Sequence, residues 1–372
     1  MLLLADLPEQ PVWTATHLLH AEPAEWENYP EAHQMALQFS QAWLRGTNAF
    51  CIPTSGSTGI PKSINLSRQQ IIASIKASTT ALCLQQGQSA LVCLHPRYIA
   101  GIMMLARGWE LGWQMYFVAP SANPLGLFVR QSWAKGFDFL ALVPLQLQNT
   151  LENEPEKQLL DRCGIVLVGG AALSAVLERA TRQVKPAIYA TFGMTETASH
   201  IALRRLNGPH PEADYYLLPG IEAHADQRSC LVVRGEVTQH QWIVTNDVVQ
   251  FTGNNRFKFL GRADWVINSG GVKIFPEQIE QHIHSLQLSF LKEKRFIIAS
   301  LPDERLGSCA VLAIETESVP DKKNLLAVLR NKLPRYHAPR DIFCLPQFPT
   351  TPTGKISRKD IQQMLIRLSQ SS

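Results

Sequence analysis

The stretch "GIVLVGGAALSAVLERATRQV", residues 164–184, reads as strand, turn and helix in immediate succession. "GIVLVGG" (164–170) is a short apolar run that leaves through two glycines, and "AALSAVLERATRQV" (171–184) takes up a helical pattern behind it. Three upstream runs share the strand texture: "ALVCLH" (90–95), "QMYFVAP" (114–120) and "FLALVP" (139–144), each leaving through His or Pro. "RQQIIASIKASTTALCL" (68–84) sets Ile71, Ile75, Ser78 and Leu82 at helical spacing, with Ser67 placed as N-cap. Repeated strand–helix alternation predicts an α/β fold with a largely parallel sheet. In such sheets ligands gather at the carboxyl ends of the strands, where these exit loops lie.

Beyond residue 225 the texture changes. "SCLVVRG", "QWIVTNDVVQF" and "RFKFLGRAD" read as short strands and turns. After Asp264, "PEQIEQHIHSL" is a helix with Ile279, Ile283 and Leu286 on one face, followed by the strands "RFIIAS" and "CAVLAIE" and the helices "KNLLAVLRNKL" and "DIQQMLIRL". This places a boundary near 262–264, between a large N-terminal domain (1–262) and a small α+β C-terminal domain (263–372).

The 372 residues exceed one ordinary core, in keeping with two domains. Apolar residues are 45% and charged residues 18%, which suits a globular enzyme and argues against disorder. A net charge of +4 permits anionic small-molecule ligands, and the sequence lacks the clustered Lys/Arg with interleaved aromatics of a nucleic-acid groove. The seven cysteines form no CxxC pair and read as thiols in a reducing, cytoplasmic compartment. "MLLLADLPEQ" is broken by Asp6 and has no basic start, unlike a signal peptide. The most apolar window, 101–120, carries Arg107 and Glu110, so no membrane span is expected.

Residues 52–67, "IPTSGSTGIPKSINLS", concentrate small hydroxyls, glycines and a lysine. Backbone N–H groups turned to one point, with Ser/Thr donors and Lys62, would make an anion nest. On composition alone the loop is equally a solvated turn. The nucleoside-triphosphatase loop G-x-x-x-x-G-K-[ST] is excluded, because Gly56 and Gly59 are too close and Pro61 precedes Lys62.

The segment Thr54-Ser55-Gly56-Ser57-Thr58-Gly59-x-Pro61-Lys62 does resemble the phosphate loop of the adenylate-forming superfamily: acyl- and aryl-CoA ligases, peptide-synthetase adenylation domains and luciferases. "ATFGMTETAS" (190–199) is similar to that superfamily's Tyr-Gly-Met-Thr-Glu-Thr segment, with Phe192 in place of tyrosine. "VGGAAL" (168–173), "TNDVVQF" (245–251), "FLGRADWVINSGGVKIFPEQIE" (259–280) and "PTTPTGKISR" (349–358) resemble further blocks in the same order. The resemblance implies the adenylate-forming fold with a shortened N-terminus, since only about fifty residues precede a loop that usually follows more than a hundred.

By that resemblance a carboxylic acid attacks the α-phosphorus of ATP to give an acyl-adenylate, and a thiol of coenzyme A then displaces AMP. Lys355 would be the catalytic cation bridging the carboxylate and the α-phosphate, on a small domain that moves. Glu196 would hold Mg²⁺, and Thr195 would bond the α-phosphate. Residues Thr54, Ser55, Gly56, Ser57, Thr58 and Gly59, with Lys62, would hold the departing phosphates. Gly169, Gly170, Ala171, Phe192 and Gly193 would line the adenine, and Asp247 and Arg262 would fix the ribose. Asp264 would be the hinge, with Gly270, Gly271 and Lys273 lining the coenzyme A tunnel.

Within the superfamily, "HPRYIAGIMMLARGWELG" (95–112), "FGMTETASHIALRRLNG" (192–208) and "LPGI" (218–221) resemble the o-succinylbenzoate–CoA ligases of menaquinone biosynthesis, in their short bacterial form. That substrate carries two carboxylates and an aromatic ring. Arg107 is the first candidate for the second carboxylate, against a snorkelling residue at a helix edge. Arg97, Ser199 and His200 are further candidates, and Tyr98 stands as an aromatic wall where the superfamily often has histidine. His282 and His284 fall on different faces of their helix and make a poor metal pair. Another aryl- or acyl-CoA ligase, a free-standing adenylation enzyme and a non-catalytic relative are the alternatives, and a homodimer is left open.

Overall fold

Six strands run parallel through the middle of the large sheet, in the spatial order Leu2–Leu4, Gln114–Phe117, Ser89–Val92, Phe139–Leu142, Ile165–Val168 and Ala187–Met194. The computed structural model describes residues 1–53, 63–131, 135–292, 294–334, 336–350 and 356–370. Alternate side chains of a strand point to opposite faces, and here both faces are covered. Ala90 and Val92 enter one core with Ile71, Ile75, Met103 and Met104 from the helices Arg68–Leu82 and Ile99–Glu110. Leu91 enters the other with Leu140, Val166, Leu147 and Leu177. Each fully buried aliphatic side chain contributes roughly 1.5–3 kcal/mol. The "MLLL" start is sheet, with Leu2 and Leu4 wholly buried.

From Ala187–Met194 the sheet continues antiparallel through Ser199–Arg205, Tyr215–Leu217, Arg256–Arg262, Ile243–Gly253, Cys230–Arg234 and Glu222–Ala225. Parallel strands need crossover helices, whereas these later strands are joined by short turns. This is why the texture of the sequence changes after residue 225.

One sequence expectation about helix starts holds and another is refined. Ser67 does cap Arg68–Leu82, accepting from the Gln70 amide while the Gln70 side chain accepts from Ser67 N–H. The helix read from 171, however, is Ala175–Thr181. Ser174 Oγ accepts from Leu177 N–H and caps it there, and Gly170 at φ +83° turns the preceding segment.

After Arg262 the chain enters a second, five-stranded sheet of Val272–Ile274, Ile267–Ser269, Gly307–Glu315, Phe296–Asp303 and Ile342–Leu345. Its two faces carry Pro276–Ser285 and Arg358–Gln370, through Ile279 and Ile283 on one side and Ile361 and Leu365 on the other. An ion pair between Glu280 and Arg358 ties the two helices, and Glu280 also accepts from Ile298 N–H.

Candidate active site

Strands Ala49–Pro53 and Ser63–Ser67 pair antiparallel, with Pro53 opposite Ser63, and so bracket residues 54–62. Thr54, Ser55, Gly56, Ser57, Thr58, Gly59 and Lys62 lie outside the described residues, as does Lys355. The loop stands between two strands, the second of which runs straight into Arg68–Leu82.

Strand Ala187–Met194 ends in the 3₁₀ turn Thr195–Thr197, and Ser199–Arg205 returns beside it. Thr197 Oγ1 fixes this turn, accepting from Met194 N–H at 3.2 Å and lying 3.0 and 2.8 Å from the carbonyls of Met194 and Ser199. Ala198 at φ +55° and Ser199 at φ +152° are held where L-residues rarely sit. Such strain persists only where surrounding structure enforces it, and it gathers at functional sites. The turn packs against Ser63–Ser67, within 8 Å between Cα atoms. Thr195 and Glu196 therefore stand beside the strand that leaves 54–62, and the Glu196 carboxylate has no partner among the described residues.

Glycine is demanded at two positions here. A Cβ on Gly193 would fall 2.2 Å from Ser199 O and 2.5 Å from His200 Cα, so the strands could not pair as they do. A Cβ on Gly169 would fall 2.0 Å from Thr191 Oγ1, the hydroxyl that donates to Val168 O. Gly169, Gly170 and Ala171 thus form the exit turn of Ile165–Val168, next to the strand carrying Phe192. The Phe192 ring packs on Tyr215, Phe257 and Phe259 at centroid distances of 5.4, 5.2 and 5.7 Å. Those three aromatics were not singled out in the sequence, because only sheet pairing brings them beside Phe192.

Asp247 and Arg262 face each other across paired strands, 3.1 Å from Oδ1 to Nη1. Burial raises the Asp247 carboxyl above its ordinary range, against the pull of Arg262. The other arm of Arg262 reaches Asp264 at 2.9 Å, and Asn246 Nδ2 donates to Asp264 at 3.0 Å. Gly270 and Gly271, at φ +56° and +84°, form the tip of the Ile267–Ser269/Val272–Ile274 hairpin, with Lys273 exposed beside them.

Arg107 does not snorkel. It is 2% exposed, in the last turn of Ile99–Glu110, and its guanidinium lies over the Phe139 ring at 5.2 Å. Nη2 donates to Ser78 Oγ at 3.3 Å, and Nη1 faces Met104 Sδ at 3.9 Å. Burial lowers its pKa to about 10. His200, also buried, is pushed down to about 3 by burial and then by Arg107, so it stays neutral. Its Nδ1 lies 3.3 Å from Ser199 Oγ. Tyr98 caps the opposite end of the Arg107 helix, its ring edge-on to His95 at 5.9 Å. It does not share the Arg107 environment. Ser78 was legible as a serine on a buried helical face, although its partner was not.

The sequence profile of the AMP-binding enzyme family matches residues 3–230. The chain belongs to the AMP-binding enzyme family. It is similar to an acyl-CoA synthetase (AMP-forming)/AMP-acid ligase II-like protein from Dyadobacter fermentans, 40% identical over 95% of this chain and 99% of that one, with a TM-score of 0.63. It is 26% identical to the 2-succinylbenzoate–CoA ligase of Bacillus cytotoxicus over 84% of this chain and 69% of that protein. The o-succinylbenzoate coenzyme A synthetase of Bacillus subtilis, solved with ATP and magnesium ion, superposes with a TM-score of 0.69 at 19% identity, over 84% of this chain and 69% of that one. The fold is that of the adenylate-forming enzymes, on a chain shorter than these Bacillus proteins. Among the described residues, no helix of this family member is long and apolar enough to cross a membrane.

Proposed function

We propose that this AMP-binding family member is an ATP-dependent acid–CoA ligase whose acid is 2-succinylbenzoate, placing it in menaquinone biosynthesis. In the first step a carboxylate oxygen attacks the α-phosphorus, and pyrophosphate leaves with the electrons of the broken P–O bond. In the second, the coenzyme A thiolate attacks the acyl carbonyl and AMP leaves. The observation that carries the reading is the Thr195–Thr197 turn packed against the strand leaving residues 54–62. It sets an unpartnered carboxylate and a hydroxyl beside the candidate phosphate loop.

The residues then take these roles. Thr195 bonds the α-phosphate while Lys62 and the donors of 54–59 hold the leaving phosphates, so catalysis is positioning plus charge stabilisation. Glu196 is one carboxylate, and no group of three or more acidic, His or Cys ligands occurs among the described residues. That set fits Mg²⁺, which keeps its waters and takes one or two carboxylates plus substrate phosphates. When bound, the ion neutralises charge on those phosphates. Phe192 offers a ring face to adenine, the turn 169–171 closes beside it, and Asp247 and Arg262 hold the ribose hydroxyls. Lys355, carried by a small domain spanning 263–372, meets the reacting carboxylate. Rotation about Asp264 then exchanges it for the hairpin of Gly270, Gly271 and Lys273 along the pantetheine arm. The seven free thiols, four of them buried, suit a cytoplasmic enzyme.

AMP release measured with ATP, coenzyme A and a panel of acids tests the reading. AMP formed with 2-succinylbenzoate and dependent on coenzyme A supports it. AMP formed only with another acid keeps the ligase and removes the substrate, whereas no AMP with any acid removes both.

A further inference from the structure

We propose that Gln70 is a positioning residue for the nucleotide's phosphates: with Gln239, it registers the strand that leaves residues 54–62 against the turns carrying Val237 and Glu196. The inference rests on the acid-ligase reading and adds the group that holds its two phosphate-facing pieces in register.

Among the described residues, the hairpin of Ala49–Pro53 and Ser63–Ser67 is a sheet of its own and pairs with neither of the larger ones. A lone two-stranded hairpin is marginal in water, so its place is set by what it packs against. Ile52 and Leu66 bury one side of it in the core with Ile71, Ile75 and Met103. Apolar contact is non-directional and leaves the hairpin free to slide or tilt. Hydrogen bonds have to supply the direction. Arg68 gives one, donating to Trp43 O at 2.6 Å, but this ties the hairpin only to the helix just before it, Glu31–Leu44.

Gln70 supplies a tie to a distant part of the chain. It is 8% exposed, and both ends of its amide are used. Oε1 accepts from Ser67 N–H at 3.0 Å, within the cap of Arg68–Leu82. Nε2 donates to Val237 O at 2.9 Å, 167 positions along the chain. The cap needs only the acceptor, which a glutamate would supply as well. The Val237 carbonyl needs the amide donor. Gln239 Nε2 answers from the same turn, donating to Ser67 Oγ at 3.3 Å.

The turn that receives Gln70 is stiff. Glu236–Thr238 is a 3₁₀ turn held by Thr238 Oγ1, which accepts from Gly235 N–H at 3.1 Å and lies 2.8 Å from Gln241 O. Val237 and Thr238 are buried. This turn packs on Arg68–Leu82 and on Thr195–Thr197, and Thr195–Thr197 packs on Ser63–Ser67. The strand-and-helix unit, the Val237 turn and the Glu196 turn therefore each touch the other two. Within that triangle the Gln70 bond fixes the separation between the strand leaving 54–62 and the side chains of Thr195 and Glu196. The phosphates of ATP bridge this separation in the proposed first step, where a misplacement of about 1 Å can cost on the order of 10²-fold.

The test uses Gln70→Glu, which keeps the acceptor for the cap and sets an oxygen against Val237 O in place of the donor. In pyrophosphate release with 2-succinylbenzoate, kcat/KM for ATP should fall about tenfold, as for one buried hydrogen bond left unmade. Turnover of supplied acyl-adenylate with coenzyme A involves no leaving phosphates and should keep its wild-type rate. Equal losses in both half-reactions would mean a structural role and overturn the inference. Wild-type kinetics with ATP would overturn the positioning role and leave the ligase. Should urea denaturation show that Gln70→Glu does not fold, Gln239→Gly removes the second bond at an exposed position whose φ of +52° suits glycine. It should lower kcat/KM for ATP about threefold, the weaker end of hydrogen-bond energies, with acyl-adenylate turnover unchanged; a wild-type value for ATP there overturns the inference. A wild type that releases no pyrophosphate with any acid removes the ligase reading and this inference together.

Discussion

Arg262 joins two carboxylates, donating to Asp247 at 3.1 Å and to Asp264 at 2.9 Å. The candidate ribose acceptor and the candidate hinge therefore share one cation. Asp247 lies 17% exposed on strand Ile243–Gly253, with one oxygen committed to Arg262. Asp247→Asn should raise the KM for ATP by roughly 10- to 100-fold, the loss of one charge-assisted hydrogen bond at about 1.5–3 kcal/mol. The KM for the acid should stay as it is. Pyrophosphate release against ATP concentration measures both, and an unchanged KM for ATP takes Asp247 out of the nucleotide site.

Lys355 and the hairpin of Gly270, Gly271 and Lys273 serve different half-reactions in the proposed cycle. Lys355→Ala should lose acyl-adenylate formation by about 10²-fold or more, as for removal of a transition-state donor. Turnover of supplied acyl-adenylate with coenzyme A should survive. Single-turnover assays of each half-reaction separate the two, and equal loss of both would refute the exchange of faces.

The parallel sheet was legible because its strands are apolar on both faces and its helices carry a helical stripe; Ser67 even marked a cap to the residue. The start of the helix at Ala175 was less so, since Ala171 and Ala172 are good helix formers and only the Ser174 cap stops the helix there. Arg107 illustrates the harder limit. Its spacing in "GIMMLARGWELG" is compatible with a helix edge or with the buried stripe, and what decides between them is the cover of Ser78, Phe139 and His200, which lie 29, 32 and 93 positions away. The aromatic surround of Phe192 was hidden for the same reason, because strand order is set by tertiary pairing.

Gly193 stands opposite His200 in the paired strands that carry the Glu196 turn. A methyl there meets backbone atoms at 2.2 and 2.5 Å, and backbone cannot rotate aside as a flexible side chain can. Gly193→Ala should destabilise the fold by about 2 kcal/mol or more, within the range for overpacking a core. It should also lose adenylation more than ten-fold at temperatures where it remains folded, since the turn moves with the strand. Urea unfolding together with pyrophosphate release checks this; wild-type values in both would show that the strands have room to separate.

His200 gives the stability of the protein a defined pH dependence. Its folded-state pKa is about 3, whereas the ordinary imidazole value is 6.5. Below pH 6.5 the unfolded chain therefore takes up a proton that the native state refuses. The stability associated with a neutral His200 is complete above pH 6.5 and is lost as pH falls toward 3, by up to about 1.4 kcal/mol per pH unit. His200→Gln retains a polar side chain but cannot titrate. Measured by urea denaturation at pH 7, 6 and 5, wild-type stability should fall more steeply than that of the variant, with a difference approaching about 2 kcal/mol at pH 5. Parallel curves would mean that His200 is protonated inside the fold, with a counter-anion beside Arg107 already in place.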